Sequence, residues 1–289
     1  MRLALIWSAW VGILTIVGFG CGGSQVTTTK PQPDLSHFDH VGPFVDGLAP
    51  VRKGVMWAYA DESGRTVTKF IFEEAQWFAE GLAAVKMDGK WGFIDKSGAV
   101  VIQPQFDRAW QFSESLASAS LLGHGRSKYG YIDRTGNFVI KAQFDMAHDF
   151  HDSIATIVQD MADGTRKEGL IDKSGRIIVP PRYDEIYPFA EGLAPVRFNG
   201  RWGFIDKAGK TVIPMKFSGA WVFHNGLAPV AEGKWGFIDK TGQFVIAPRF
   251  EEIAYNNPEP FDKGAARVRT YDGWGCITRT GEGVECPAQ

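Results

Sequence analysis

Residues 78–106 read FAEGLAAVKMDGKWGFIDKSGAVVIQPQF, and this stretch decides the fold because the chain repeats it. Close copies are FAEGLAPVRFNGRWGFIDKAGKTVIPMKF at residues 189–217 and FHNGLAPVAEGKWGFIDKTGQFVIAPRF at residues 223–250. Seven units, 34 to 39 residues apart, begin at Phe44, Phe78, Phe112, Phe150, Phe189, Phe223 and Phe261. Self-similarity at such a period indicates one supersecondary unit that is stacked on its neighbours.

The turn Asp-x-x-Gly lies near the middle of six units, as in Asp95–Gly98, and the seventh unit has Thr278 in the Asp position but keeps Gly281. Asp at the first position accepts hydrogen bonds from backbone amides and Gly at the fourth tolerates a positive φ, which predicts a type I turn with a bulge closing a hairpin. Aromatic and β-branched runs precede and follow it, as in Trp91–Ile94 and Val100–Ile102, and such runs are typical of strands. Each unit therefore reads as about three short strands without a helix.

The predicted fold is all-β, with seven repeats in a curved array that resembles a β-solenoid. A closed seven-bladed β-propeller is the alternative, because seven copies suit ring closure. A propeller blade has four strands, however, and four strands would be cramped in a repeat of 34 residues. The repeats are predicted to form a single domain over residues 44–289.

A Trp-Gly pair marks the strand before the turn. A large indole beside a residue without a side chain lets another backbone or ring approach closely. We interpret the tryptophans as packing between repeats rather than as a ligand-stacking column. The pair stands at Trp91, Trp202, Trp235 and Trp274, and is altered to Trp57-Ala58, Tyr129-Gly130 and Glu168-Gly169.

The shared pattern, GLAPV followed by WGFID, K, a small residue, G and VI-x-P-x-F, resembles the bacterial WG-repeat (KWG) family. The resemblance runs from Phe44 to the C-terminus. It implies an all-β repeat domain, often carried by secreted or envelope proteins. It implies no activity, since the family has no general catalytic motif to transfer.

The N-terminus is typical of an export signal. Met1-Arg2 precedes an apolar run from Leu3 to Gly20, which predicts a signal peptide over residues 1–20. Gly20-Cys21-Gly22 resembles a lipoprotein cleavage site, which implies a lipid on Cys21, with an uncleaved membrane anchor as the alternative. By the same resemblance, Gly22 in place of Asp favours the outer membrane. Residues 21–43 are polar and contain proline, so they are predicted to form a flexible tether.

Composition gives no support for a nucleic-acid partner, because the formal net charge is −2 and such partners need a basic face. An exported compartment permits a disulfide between Cys276 and Cys286, the alternative being two buried thiols. The lysines that follow the turn aspartates, such as Lys96 and Lys240, are predicted to be solvated.

No catalytic constellation is evident, since the sequence has no HExxH, phosphate loop, CxxC or GxSxG. His37-x-x-His40 and His148-x-x-His151 lack further ligands for a metal. We therefore expect neither an enzyme nor a cofactor or metal.

Two features suggest a binding surface. Repeats three and four carry insertions at the same point, Leu121–Lys128 and Gln159–Lys167, which should emerge side by side; tolerated loop variation is the alternative. The candidate residues there are Gly123, His124, Arg126, Lys128, Asp160, Asp163 and Arg166.

The second feature is an aromatic column two residues before the repeat phenylalanine, at Trp110, Tyr187 and Trp221, with His148 in the same position. Such rings could stack sugars or peptide side chains, or pack repeats together. The function expected from the sequence is a non-catalytic binding module at the envelope that engages a protein or glycan. A self-assembling or wall-contacting scaffold is the alternative, and an enzyme with an unrecognised site is a minor one.

Overall fold

Each repeat folds as an antiparallel meander, in which strands that follow one another in the chain are hydrogen-bonded neighbours. The computed structural model describes residues 35–123, 126–254, 261 and 264–286. These residues form strands and turns with no helix, which confirms the predicted all-β fold.

The first three sheets comprise β1 to β11. Sheet 1 contains β1 (His40–Val41), β2 (Leu48–Lys53) and β3 (Met56–Asp61). Sheet 2 contains β4 (Glu74–Ala75), β5 (Leu82–Met87), β6 (Lys90–Asp95) and β7 (Val100–Phe106). Sheet 3 contains β8 (Arg108–Ser113), β9 (Leu116–Gly123), β10 (Arg126–Ile132) and β11 (Phe138–Phe144).

Four further sheets repeat this order. Sheet 4 contains β12 (Met146–Ala147), β13 (Ile154–Asp160), β14 (Arg166–Asp172) and β15 (Ile177–Tyr183). Sheet 5 contains β16 (Glu185–Ile186), β17 (Leu193–Phe198), β18 (Arg201–Asp206) and β19 (Thr211–Phe217). Sheet 6 contains β20 (Gly219–Ala220), β21 (Ala228–Glu232), β22 (Lys234–Ile238) and β23 (Phe244–Phe250). Sheet 7 contains β24 (Glu252–Ile253), β25 (Ala266–Thr270), β26 (Gly273–Ile277) and β27 (Gly283–Val284).

Sheets 2 to 7 have four strands, so the expectation of about three per unit was wrong. The strand that was missed is the first, which in most sheets is only two residues long, as in β4. From sheet 2 onward this strand fits because a single residue separates successive sheets, as Asp107 does between β7 and β8. A four-stranded meander is the blade of a β-propeller, and an open stack can use the same unit.

The Asp-x-x-Gly turn has the predicted structure. The carboxylate Oδ1 of Asp95 accepts hydrogen bonds from the amides of Ser97 at 2.9 Å and Ala99 at 3.0 Å. Gly98 has a φ of 84° and donates its amide to the Asp95 carbonyl at 2.9 Å. The hydroxyl of Ser97 also donates to this carboxylate, and together these bonds lower the pKa of Asp95.

The glycine of the Trp-Gly pair is required by a backbone crossing. In sheet 2 the register between β6 and β7 shifts after Trp91↔Phe106, so β7 bulges over β6. A Cβ on Gly92 would stand 2.5 Å from the Ile102 carbonyl oxygen and 2.7 Å from the Pro104 nitrogen. The expected close backbone approach is therefore confirmed.

The core lies between successive sheets rather than inside one of them. The repeat phenylalanine Phe112 of sheet 3 sits with its ring centroid 4.9 Å from that of Phe93 in sheet 2. Buried Trp91 belongs to the same cluster as these two rings, so packing between repeats accounts for Trp91, whereas Trp274 of the last sheet is 45% exposed. Equivalent ring pairs, 4.6–5.2 Å apart, are Tyr59–Phe78, Tyr131–Phe150, Phe204–Phe223 and Phe237–Phe261.

The two ends of the domain differ from the middle. The first sheet begins before Phe44, because β1 and the buried Phe38 lie inside the stretch assigned to the tether. At the other end, Cys276 and Cys286 form a disulfide with a Cα–Cα distance of 5.1 Å. The predicted signal peptide, Cys21 and residues 21–34 of the tether lie outside the described residues.

The basic residues after the turn aspartates are not merely solvated, which corrects the sequence-based expectation. Lys240 of sheet 6 lies 3.0 Å from the carboxylate of Glu191 in sheet 5. Glu191 stands at a left-handed turn position, with a φ of 52°, at the edge of its sheet. Equivalent ion pairs to the preceding sheet are Lys96–Asp46, Arg134–Glu80, Lys173–Glu114 and Lys207–Asp152. In the last sheet, Arg279 donates instead to the backbone carbonyl of Asn225.

Candidate functional site

The two insertions extend the hairpins β9–β10 and β13–β14 at the same edge of sheets 3 and 4. Asp145, the single residue between these sheets, connects them. Its Oδ1 accepts from Lys128 Nζ at 2.5 Å, and its Oδ2 accepts from the Asp160 amide at 2.9 Å. The structure therefore brings the two hairpins together, as their matching positions in the repeat predicted.

Several of the candidate residues on these hairpins have structural partners. The guanidinium of Arg166 donates to Asp160 at 2.9 Å, and Asp163 accepts from the Thr165 amide at 2.9 Å within the hairpin turn. Gly123 and Arg126 pair through their backbones at the end of the other hairpin. His124 lies outside the described residues. Near the tip of the β9–β10 hairpin, the apolar side chain of Leu122 is 67% exposed.

The aromatic column divides into a packed part and an open part. Tyr187 stacks between two tryptophans, with centroid distances of 4.8 Å to Trp202 and 5.3 Å to Trp221. Trp110 is 44% exposed. Packing between repeats thus accounts for Tyr187 and Trp221, whereas Trp110 presents its ring to solvent.

Trp110 lines a groove of about 270 Å³ that spans three sheets. Trp57 comes from sheet 1, Trp91 from sheet 2 and Trp110 from the first strand of sheet 3. The remaining lining residues are Glu74, Ala75, Gln76, Arg108 and Ala109. Three indoles with a carboxylate, an amide and a guanidinium make this a mostly aromatic site with a few polar groups, as is usual for small-ligand sites.

The polar groups of the groove differ in how they are paired. Glu74 accepts a hydrogen bond from Lys86 at 2.8 Å. The Gln76 amide donates to the Ala109 carbonyl at 3.3 Å, while its own oxygen Oε1 is buried without a partner. The exposed guanidinium of Arg108 makes neither an ion pair nor a hydrogen bond within the described part of the chain. The groove therefore carries an uncommitted positive charge.

A family profile described as WG containing repeat matches this chain over most of its length. The matched stretches are residues 36–54, 57–91, 91–123, 129–160, 169–202, 202–234 and 235–274. This chain belongs to the WG-repeat family. The groove tryptophans Trp57 and Trp91 thus stand at the WG position of their repeats, while Trp110 lies outside the dipeptide.

Solved structures resemble this WG-repeat protein only distantly. The tricorn protease matches with 12% identity, a TM-score of 0.29, and coverage of 82% of this chain and 34% of that one. Hsv2 of Kluyveromyces lactis matches with 8% identity, a TM-score of 0.38, and coverage of 69% and 70%. Acylaminoacyl peptidase of Pyrococcus horikoshii matches with 9% identity, a TM-score of 0.41, and coverage of 89% and 54%.

The chain spans about a third of the tricorn protease chain and about half of the peptidase chain. No property of these proteins is transferred to this one at such TM-scores. No curated protein matches the chain.

The histidines of the two pairs all lie at exposed positions: His37, His40, His148 and His151. The His40 ring lies 5.4 Å from that of Trp57, and the His148 carbonyl accepts from the Tyr131 hydroxyl at 2.7 Å. Within the described ranges, no cluster of three or more histidine, cysteine or acidic side chains could hold a metal ion. The same ranges contain no helix long and apolar enough to cross a membrane.

The sequence indicated part of the groove only. It singled out Trp110 by its place in the column but assigned Trp57 and Trp91 to packing, and it gave no role to Arg108. The available signal was a break in the repeat: the position of Arg108 holds Glu74, Glu185 and Glu252 in sheets 2, 5 and 7. An alignment of the repeats at that position shows a positive charge at Arg108 where three other sheets have a negative one.

Proposed function

We propose that this WG-repeat protein is a non-catalytic binding module, exported and held at the cell envelope by a lipid on Cys21, which recognises a protein or glycan through its repeat surface. The groove of Trp57, Trp91 and Trp110 carries the proposal. An open aromatic site with uncommitted polar groups suits recognition of a small ring or side chain.

The paired hairpins of sheets 3 and 4 support the same function as a second contact region. They lie at one edge of adjacent sheets, and their tips expose apolar side chains such as Leu122 and Met161. Exposed loops that are held by a rigid scaffold are common binding elements.

Binding is tested with the full chain, purified in detergent and incubated with solubilised envelope extract. We expect the wild type to retain one enriched protein or glycan. Trp110→Ala should lose it, whereas Val284→Ala, an exposed change in the last sheet, should retain it. Equal retention by both variants would remove the groove from the site, and shortening both hairpins to the length found in sheet 5 then tests the second region.

The anchor is tested separately by Cys21→Ser. We expect the wild type to incorporate a labelled fatty acid and to fractionate with membranes. The variant should lose the label. A wild-type chain that carries no label would contradict the lipid anchor and leave an uncleaved apolar segment as its alternative.

A self-assembling scaffold is the second candidate, favoured by one edge strand. The last strands of sheets 2, 4, 5 and 6 carry a proline, which blocks pairing with another strand. These prolines are Pro104, Pro180, Pro181, Pro214 and Pro248. The equivalent β11 of sheet 3 has none, and its Val139 is 50% exposed.

Sedimentation at rising protein concentration tests this candidate. A scaffold would increase in mass, and Ala142→Pro, which restores proline at the slot of Pro104, would reverse the increase. A constant monomer mass would contradict self-assembly through β11.

A further inference from the structure

We infer that the groove of Trp57, Trp91 and Trp110 binds an acidic sugar, a pyranose ring with a carboxylate, and that Arg108 receives the carboxylate. This inference rests on the proposed binding function and names the ligand class of the same groove. Three observations carry it: the charge at position 108, the aromatic lining, and the size of the groove.

The charge at position 108 departs from a pattern found in three other sheets, 2, 5 and 7. In sheet 2, Glu74 is paired across the strands with Lys86 at 2.8 Å. Sheets 5 and 7 repeat this ion pair as Glu185–Arg197 at 3.2 Å and Glu252–Arg269 at 3.0 Å. The first strands of these sheets therefore neutralise their own charge.

In sheet 3 the equivalent residue is positively charged and has no oppositely charged residue across the strands. Arg108 stands opposite Ser120, whose buried hydroxyl has no hydrogen-bond partner within the described residues. The guanidinium is consequently exposed at the groove and free to form a bidentate hydrogen bond. Carboxylates match the fork geometry of a guanidinium and can accept two hydrogen bonds from it.

The lining selects a ring with one apolar face and a polar rim. Indole faces stack on flat apolar surfaces, and the C–H face of a pyranose is such a surface. Glu74 and Gln76 lie in the same groove and can accept from ring hydroxyls.

The size of the groove favours a single sugar unit over a folded partner. Its volume of about 270 Å³ holds one ring with its substituents and lies just below the usual range of small-ligand sites, roughly 300–1,000 Å³. An element of a protein partner would need a longer surface. A glycan could place one acidic unit here while its neighbours extend into solvent.

The experiment uses the full chain in detergent and two pairs of probes: trigalacturonate and trimannuronate, each beside its neutral methyl ester. Binding is followed by tryptophan fluorescence and by calorimetry. We expect at least one acidic trisaccharide to bind about tenfold or more tightly than its ester, the effect of one charge-assisted pair.

Variants assign the effect to residues. Arg108→Glu should remove the preference for the acid, and Arg108→Lys should retain part of it because it keeps the charge but not the fork. Arg201→Glu, a change at another exposed arginine without an ion pair within the described ranges, is the matched control and should bind as the wild type does.

Each outcome is decisive. Equal binding of acid and ester that Trp110→Ala abolishes would overturn the acidic ligand while leaving the proposed binding function intact. No binding of any probe at millimolar concentration would overturn the sugar assignment. If the wild type still retained an envelope component in the extract experiment, the proposed binding function would stand and only the sugar assignment would be wrong.

The same experiment also tests a peptide as the ligand. If a short peptide that ends in a free phenylalanine carboxylate bound in an Arg108-dependent manner and neither acidic sugar did, the groove would be a peptide site and the inference would be wrong.

Discussion

Lys240 binds sheet 6 to sheet 5 through two atoms of Glu191, since its Nζ lies 3.0 Å from Oε2 and donates to the carbonyl oxygen at 3.1 Å. The carboxylate also accepts from the amide of Gly226 in sheet 6 at 3.1 Å. Partial burial opposes ionisation, but these hydrogen bonds lower the pKa of Glu191 overall. One acidic residue in a tight turn thus receives both a side chain and a backbone group from the next repeat.

A double-mutant cycle on this pair should show modest coupling. Lys240→Met, Glu191→Gln and the double variant are expected to give a coupling free energy of about 0.5 kcal/mol, because the pair is partly exposed. The coupling should shrink in high salt. Chemical denaturation measures it, and Lys210→Met, at an exposed lysine outside any ion pair of the described chain, provides the control. Coupling that does not change with salt would argue against an electrostatic contact.

Gly203→Ala should destabilise the domain by about 3 kcal/mol, the upper part of the range for overpacking. An added Cβ would stand 2.5 Å from the Ile213 carbonyl oxygen and 2.8 Å from the Met215 nitrogen, and both are backbone atoms that cannot rotate away.

Gly275, the WG glycine of the last sheet, provides a matched control for this substitution. An added Cβ there would have no atom within 4 Å. Gly275→Ala is therefore expected to leave the denaturation midpoint unchanged or raise it slightly, since alanine restricts the unfolded chain. Equal losses at both positions would contradict the role of the β-bulge.

Acid should weaken the domain below about pH 4. The hydroxyls of Ser63 and Ser174 are the main cause that lowers the pKa of Asp61 and Asp172 from 3.8 to about 2. A carboxyl whose folded pKa is depressed contributes stability that is present above its unfolded pKa and lost as the pH falls through the folded value. The loss should therefore lie between about pH 4 and pH 2.

Denaturation midpoints across that range, at constant ionic strength, measure the effect. The variant with Asp61→Asn and Asp172→Asn should be less stable at neutral pH and show a flatter dependence on acid. An identical pH profile for variant and wild type would show that other carboxyls govern acid unfolding.

Reduction of the Cys276–Cys286 disulfide should destabilise the last sheet before the others. The bond closes a short loop, with a sequence separation of 10, and a closed loop of this length constrains the unfolded chain by about 3 kcal/mol. Hydrogen exchange with and without reductant locates the effect. We expect faster exchange in β25 and β26, with β5 and β6 unchanged; uniform acceleration would mean that the sheets unfold as one unit.

The repeat pattern alone determined the all-β fold, the number of units and the turn geometry. These features follow from local chemistry that recurs along the chain, so each landmark is supported by its copies. Gly92 shows the strength of such a signal: a missing side chain at a fixed place predicted a close backbone approach before its partner, β7, could be named.

Tertiary structure decided what the repeats form together. The two-residue strand β4 was missed because its pairing with β5 depends on a register that only folding fixes. The contact of Lys240 with Glu191 joins residues 49 positions apart, and the groove brings Trp57, Trp91 and Trp110 together from three sheets. Sequence periodicity describes one unit, whereas a site between units depends on how neighbouring sheets meet and on which copy departs from the pattern, as Arg108 does.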